Sequence, residues 1–328
     1  MPTSGSTGSL RPVVLTHRNV AAAVAGSHAR VGNTHRDRWL LVLPLHHVGG
    51  LSILWRSAAA GGAVVVHPTF DARAAAEAMA CGGVTVASVV PTMLSRILDA
   101  HAGPYRGVRA VLLGGAPAPP RLVERALDAG LPVLTTYGLT ETCSQVATVV
   151  PGEERASIGT VGRVLDGFSV TIESGGVAVS SEVGEIVIAG DAVSPGYGLE
   201  PPRRGPLRTG DLGRFDGAGR LIVMGRGDDV ILSGGEKVAP AVVEAALRTH
   251  PHVAEAVVLG MADPEWGEVV TAVVVPEAGL DRAAVEDDLR RRLNRHEIPR
   301  RWVLIDELPL LPNGKIDRAA LAAELSRG

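Results

Sequence analysis

Between residues 38 and 137, short apolar runs rich in Val, Ile and Leu alternate with longer segments of helical spacing. The runs at 38–45, 63–67, 84–89, 108–113 and 131–136 read as buried strands. The segments at 51–59, 71–81, 91–101 and 120–129 read as the helices between them. Asp71 is placed to cap the second helix, and Pro91 stands at the start of the third. Strands alternating with helices in this way predict a largely parallel sheet covered by helices.

Downstream the pattern changes. Glycines punctuate the stretch from Ser157 to Arg163, and short strands at 169–172, 184–188 and 220–224 predict a small antiparallel unit. After residue 225 the pattern predicts a helix at 239–248 and strands at 254–259 and 269–275. Residues 281–295 read as an amphipathic helix with Val285, Leu289 and Leu293 on one face. Glu286–Arg290, Asp287–Arg291 and Asp288–Arg292 each stand four apart in the favourable order. The Arg290-Arg291-Arg292 run is therefore a solvated face and not a nucleic-acid patch. The charged, glycine-rich stretch Gly225-Arg226-Gly227-Asp228-Asp229 has the composition of a linker. The expected fold is a large α/β domain over residues 1–225, with a mostly parallel sheet plus a small antiparallel β unit. A small α+β domain over residues 226–328 follows it.

Composition fits this division. A chain of 328 residues suits two domains, and its 46% apolar content supports a sizeable core. No apolar run reaches the ~18 residues a membrane span needs. Met1-Pro2-Thr3-Ser4-Gly5 has neither a basic nor an apolar leader region. Two cysteines, Cys81 and Cys143, make no disulfide framework and fit a reducing, cytoplasmic setting. A net charge of −3 gives no cause to expect nucleic acid. Lys237 and Lys315 are the only lysines among 32 basic residues. A lysine kept in so arginine-rich a chain points to a place where arginine's planar fork does not serve. The sequence leaves the oligomeric state open.

Candidate chemistry lies mostly where strands end. The run at 131–136 continues into Tyr137-Gly138-Leu139-Thr140-Glu141-Thr142-Cys143-Ser144-Gln145. An aromatic, a glycine and a cluster of hydroxyls and a carboxylate make a poor core element, and suit a ligand site at the carboxyl edge of a parallel sheet. Near the start, Thr3-Ser4-Gly5-Ser6-Thr7-Gly8 packs hydroxyls and glycines into one loop. Backbone N–H groups can converge there on an anion, and the hydroxyls add donors. No Gly-Lys-[Ser/Thr] follows, so it is not a Walker A loop. Pro44-Leu45-His46-His47-Val48-Gly49-Gly50 sets two histidines after a strand. Arg56 interrupts an apolar helix, either snorkelling to the surface or offering its fork to a carboxylate. Gly114-Gly115-Ala116-Pro117 leaves room for a flat ligand, as a plain turn also would. Thr209-Gly210-Asp211 sets a carboxylate in the small β unit. Pro312-Asn313-Gly314-Lys315-Ile316-Asp317 carries Lys315 at an Asn-Gly turn.

Residues 137–142 resemble the Tyr-Gly-x-Thr-Glu-Thr signature of the adenylate-forming (ANL) superfamily: acyl-CoA synthetases, peptide-synthetase adenylation domains and luciferases. The continuation Cys143-Ser144-Gln145 resembles one branch, the o-succinylbenzoate–CoA ligases of menaquinone synthesis. The hydroxyl-glycine loop with Val13-Val14-Leu15-Thr16-His17-Arg18-Asn19 is similar to the superfamily's phosphate loop, although Leu10-Arg11 stands where Pro-Lys is usual. The resemblance implies a ligase using ATP and Mg²⁺. It joins a small-molecule carboxylic acid to AMP and then passes the acyl group to coenzyme A. By resemblance Glu141 holds Mg²⁺, Thr140 donates to the α-phosphate, and Tyr137 stacks on adenine beside Gly115. Thr3, Ser4, Gly5, Ser6, Thr7 and Gly8 cradle phosphates. Asp211 and Arg226 bind ribose, and Lys315 reaches the reacting oxygens.

His47, Arg56, Gly114 and Ser144 line the acyl pocket by the same resemblance, with Arg56 turned to a substrate carboxylate. His46 departs from the family's usual aromatic. No aspartate lies in that loop, which argues against an amino-acid substrate. Asp228 matches the hinge that makes the C-terminal domain mobile, and Lys237 fits either an exposed solubilising role or a thiol tunnel. Family members carry an upstream α/β segment whose strand feeds the phosphate loop. With Met1 two residues before Thr3, the loop is expected to lack that strand. Another aryl or fatty acid, or a non-catalytic nucleotide-binding remnant, are the alternative readings.

Overall fold

Seven strands build the principal sheet of the larger unit in this computed structural model. Their order is Ala63–Val66, Arg38–Leu41, Val86–Val89, Ala110–Leu113, Val133–Leu139, Ser144–Thr148 and Arg163–Val164. The first five are parallel, and the last two pair antiparallel. The described residues are 1–4, 10–180, 182–198, 200–311 and 316–326. Side chains alternate across the sheet, as the period of two in a strand requires. Leu40, Ala87, Val111, Leu113 and Val133 face one side, among helices Ala72–Ala80, Pro91–Ala100 and Pro120–Asp128. Trp39, Leu41, Val86, Leu112 and Leu134 face the other, against Val31 of helix His17–Val31 and Ile53 of helix Val48–Ala60. Burial on both faces is why these strands are continuous apolar runs.

The caps explain where helices begin. Asp71 accepts the Ala74 N–H at 2.7 Å, as its position predicts. Thr16 and Asn19 form a reciprocal capping box on the first helix, which ends at Gly32 in the left-handed region. At the amino ends of the strands, buried Asp37 binds the Thr34 N–H, the Thr85 hydroxyl and two nitrogens of Arg109. Burial alone would raise its carboxyl, but Arg109 and the other donors outweigh that and hold it at about 2.

A three-stranded sheet joins Pro2–Ser4, Leu10–Val14 and Gly196–Tyr197, all antiparallel. Pro2–Ser4 takes in Thr3 and Ser4, the first two residues of the hydroxyl-glycine loop; a three-residue strand opening on proline carries no period that pattern reading detects. The small β region is a five-stranded sheet in the order Val177–Val179, Phe168–Ser174, Gly184–Gly190, Leu207–Phe215, Leu221–Arg226.

Contacts divide the chain into two compact units. One comprises Met1–Ala118, Leu122–Thr209 and Arg214–Val223, and the other Pro119–Arg121, Gly210–Gly213 and Met224–Gly328. In the second, long strands Val253–Asp263 and Gly267–Pro276 pair antiparallel, and Arg301–Leu304 adds parallel to Gly267–Pro276. Val243 and Leu247 of helix Pro240–Arg248 pack on this sheet with Val285 and Leu289 of helix Arg282–Arg292. The charged pairs of the latter helix are Glu286–Arg290 and Asp288–Arg292, as expected, but Asp287 turns to Arg290 instead of Arg291. Both spacings lie on one helix surface, and the nearer guanidinium wins. Glu244, buried beneath this sheet, accepts Arg318 and the Val258 N–H, fixing helix Arg318–Leu325 to the unit.

Candidate functional site

The signature strand outruns its parallel partner. Val133 to Thr135 pair with Ala110–Leu113, while Thr136 to Leu139 turn to Ser144–Thr148 and form a hairpin at the sheet's carboxyl edge. Its tip is the single turn Thr140–Thr142. Gly138 is required by this crossing, because a Cβ there would lie 1.5 Å from the Ser144 carbonyl oxygen. The Thr142 hydroxyl, fully buried, accepts the Leu139 N–H at 3.0 Å and lies 3.0 and 3.1 Å from the Leu139 and Ser144 carbonyls. It locks a backbone that carries positive φ at Cys143 (54°) and Ser144 (99°), a strained conformation for residues with a Cβ. Burial pushes the Cys143 thiol up to about 12, so it is a core group and no nucleophile.

Glu141 projects from the tip and is partly exposed. The Tyr197 hydroxyl donates to its Oε1 at 2.9 Å, and the Ser194 N–H to its backbone carbonyl at 2.7 Å. Among the described residues no donor is bonded to Oε2, and no cluster of three metal-ligating side chains exists. One carboxylate with an oxygen to spare suits Mg²⁺, which takes one or two carboxylates and completes its shell with phosphate oxygens and water. Arg11 pairs with Glu200 at 2.8 Å and lies 4.1 Å above the Tyr197 ring.

Arg56 meets the same hairpin at Ser144. It is 2% exposed, and its Nη2 donates to the Ser144 Oγ at 3.1 Å. Its own carbonyl meets the His28 Nε2 at 3.0 Å, and the Trp39 ring lies 5.9 Å from the guanidinium. No carboxylate among the described residues pairs with it, and burial lowers it to about 10. The structure thus brings Arg56 and Ser144 together. Gln145 proves to be a core strut instead. Its amide accepts the Ser27 hydroxyl at 2.8 Å and donates to the Thr148 hydroxyl at 2.8 Å. Gly114 packs against Thr136 immediately before Tyr137, where a Cβ would meet the Thr136 Cγ2 at 2.8 Å. Gly115 follows with φ 81°. His47 opens helix Val48–Ala60 next to His46, ring centroids 4.4 Å apart.

In the second unit Asp211, Arg226 and Asp228 stand together. The Arg226 Nη1 lies 3.6 Å from the Asp211 Oδ1 and its Nη2 3.0 Å from the Asp228 Oδ2. Gly210, at φ 72°, keeps the guanidinium close, and the Gly227 N–H bonds to its carbonyl at 2.7 Å. Lys237 is exposed on strand Glu236–Val238.

Comparison with known proteins places the chain in a family. Residues 1–198 match the model of the AMP-binding enzyme family, and residues 242–315 that of the AMP-binding enzyme C-terminal domain. The chain belongs to the AMP-binding enzyme family. It is 39% identical to the 2-succinylbenzoate–CoA ligase of Bacillus licheniformis, over 98% of this chain and 69% of that protein. The o-succinylbenzoate CoA synthetase of Bacillus subtilis, in complex with its acyl-adenylate intermediate, superposes with a TM-score of 0.87 at 37% identity, covering 98% of this chain and 68% of that one. The same enzyme with ATP and magnesium ion gives 0.86 at 37% identity, covering 98% and 69%.

Among the described residues, Thr140 stands beside Glu141 on the hairpin's turn, Arg56 meets Ser144, and Arg226 meets Asp211. Gly5, Ser6, Thr7, Gly8 and Lys315 lie outside the described residues, as do the side chains of Thr3 and Ser4. Ser194 and Tyr197 were missed from the sequence. Ser194-Pro195-Gly196-Tyr197 is a polar and aromatic pair around a Pro-Gly break, a signal that marks a turn but gives no hint of a partner at Glu141.

Proposed function

We propose that this chain is an ATP- and Mg²⁺-dependent acid–thiol ligase that converts 2-succinylbenzoate to its coenzyme A thioester through an acyl-adenylate. The identity with ligases of that name over nearly the whole chain supports the reaction. The buried Arg56, paired with Ser144 and with no carboxylate among the described residues, is the observation that carries the substrate. 2-Succinylbenzoate has two carboxylates, and the one that is not activated remains an anion to be neutralised. A dry arginine fork suits that task, and a fatty acid has no use for it.

In the first half-reaction a carboxylate oxygen bonds to the α-phosphorus of ATP and the bond to pyrophosphate breaks. Two anions must be held together, so the protein's part is alignment and neutralisation. Thr140 donates to the α-phosphate, and Tyr137, beside Gly114 and Gly115, provides a face for adenine. Mg²⁺, when bound at Glu141, neutralises phosphate charge. The Thr3 to Gly8 loop receives phosphates, Asp211 and Arg226 receive the ribose, and Lys315 supplies a cation to the reacting oxygens. In the second half-reaction the coenzyme A thiolate attacks the acyl carbon and AMP leaves. In this reading the domains are residues 1–225 and 226–328, Asp228 is the pivot, and the second domain serves both steps in turn. Pyrophosphate release tests the reading. It is expected with 2-succinylbenzoate and not with benzoate or octanoate; release with octanoate in preference would overturn it.

A further inference from the structure

The first unit holds a contact system around Glu141 that the reaction scheme above does not use. Tyr197 lies 56 positions beyond Glu141, on a two-residue strand paired with Leu10–Val14. Its hydroxyl donates to the Glu141 Oε1 at 2.9 Å. Its ring is covered by the Arg11 guanidinium at 4.1 Å, and Arg11 is tied to Glu200. Three residues earlier Ser194, 2% exposed, bonds in three directions. Its N–H reaches the Glu141 carbonyl, and its hydroxyl donates to the Val14 carbonyl at 2.6 Å and accepts the Gly196 N–H at 3.1 Å. The Ser194-to-Tyr197 segment therefore grips the Glu141 backbone, the Glu141 carboxylate and the strand that leaves the hydroxyl-glycine loop. A carboxylate on a single helical turn has free side-chain rotation. A donor on one oxygen removes it and leaves the other oxygen with one direction.

We propose that Tyr197 is a positioning residue for Mg²⁺·nucleotide binding: its hydroxyl occupies Oε1 of Glu141 and aims Oε2 at the metal, while the Ser194 clamp keeps that aim in register with the phosphate loop. This rests on the reading of Glu141 as the metal carboxylate.

The test is calorimetric titration of the full chain with α,β-methylene ATP, which cannot be cleaved at the reacting bond, with and without Mg²⁺. Hydrogen bonds to charged groups set the expected effect at about tenfold. Tyr197→Phe should lose about tenfold of the affinity that Mg²⁺ adds, with metal-free affinity within about twofold of the parent. Tyr197→His, which keeps a ring and an N–H toward Glu141, should recover most of the Mg²⁺ gain, and it also serves if the phenylalanine variant does not fold. Equal weakening with and without Mg²⁺, or an unaltered Mg²⁺ gain in Tyr197→Phe, overturns the proposal. Glu141→Gln separates the two levels. If it leaves the Mg²⁺ gain intact, the reading of Glu141 itself fails. If it abolishes the gain while Tyr197→Phe does not alter it, only the positioning role fails.

Discussion

Arg56 offers the sharpest perturbation, because its cost and its use have opposite signs. Burial holds its guanidinium at about 10, where an ordinary arginine lies above 12. At about 1.36 kcal/mol per pH unit, burying that charge costs the fold about 3 kcal/mol. The folded-state value lies below the unfolded one, so the full penalty applies at neutral pH and is relieved only as pH rises beyond about 10. Arg56→Met keeps the volume, removes the charge and gives up one hydrogen bond to Ser144, worth about 1 kcal/mol. The variant should therefore melt no lower than the parent. Substrate recognition should move the other way. Truncating one partner of a desolvated charge pair costs about 2–5 kcal/mol, so kcat/KM for 2-succinylbenzoate should fall about 100-fold. Activity on 4-oxo-4-phenylbutanoate, the same acid without its ring carboxylate, should be almost unaltered. Pyrophosphate release with both acids, beside a thermal melt, reads all three quantities. Equal loss on both acids, or a melt lowered by several degrees, would refute the reasoning, since Arg56 would then be a structural arginine.

Lys315→Ala should slow adenylate formation by about 2.7–4 kcal/mol, roughly 100- to 1000-fold. It should spare thioester formation from supplied acyl-adenylate, and equal loss of both half-reactions would reject its role. Asp228→Pro fixes φ at the proposed pivot and should slow the thioester step alone, measured by single-turnover quench; an unaltered rate would place the hinge elsewhere. Asp37, held at about 2 against an unfolded carboxylate near ~3.9, stabilises the fold by about 2 kcal/mol above pH ~4. That contribution is lost as pH falls through about 2, and Asp37→Asn should flatten the acid limb of a denaturation curve.

The parallel sheet was legible because its strands are buried on both faces and so appear as unbroken apolar runs. Their ends were less so. Residues 42–45 continue the apolar pattern of Arg38–Leu41 but leave the sheet toward His46 and His47. The first helix, His17–Val31, escaped notice because most of what it buries is small or polar (Asn19, Ala23, Gly26 and Ser27), which gives little periodic contrast. The signature hairpin was recognisable as a site from its residue types. The roles within it needed coordinates: Thr142 and Gln145, both polar, turn inward to brace the turn and the core, while Ser144 alone of the last three meets Arg56. Tyr197 and Ser194 were invisible for a simpler reason. Their partnership with Glu141 is set by a two-residue strand pairing with Leu10–Val14, and such pairing across nearly the whole first unit leaves no local pattern.

A single-turnover experiment bears most directly on the central claim. The chain is mixed in excess with 2-succinylbenzoate, ATP and Mg²⁺ without coenzyme A, quenched, and its products weighed by mass spectrometry. The account predicts 2-succinylbenzoyl-adenylate and pyrophosphate in equal amounts, with the adenylate converted to the coenzyme A thioester and AMP once the thiol is added. Formation of ADP and phosphate in place of AMP and pyrophosphate, or thioester without a prior adenylate, would contradict it.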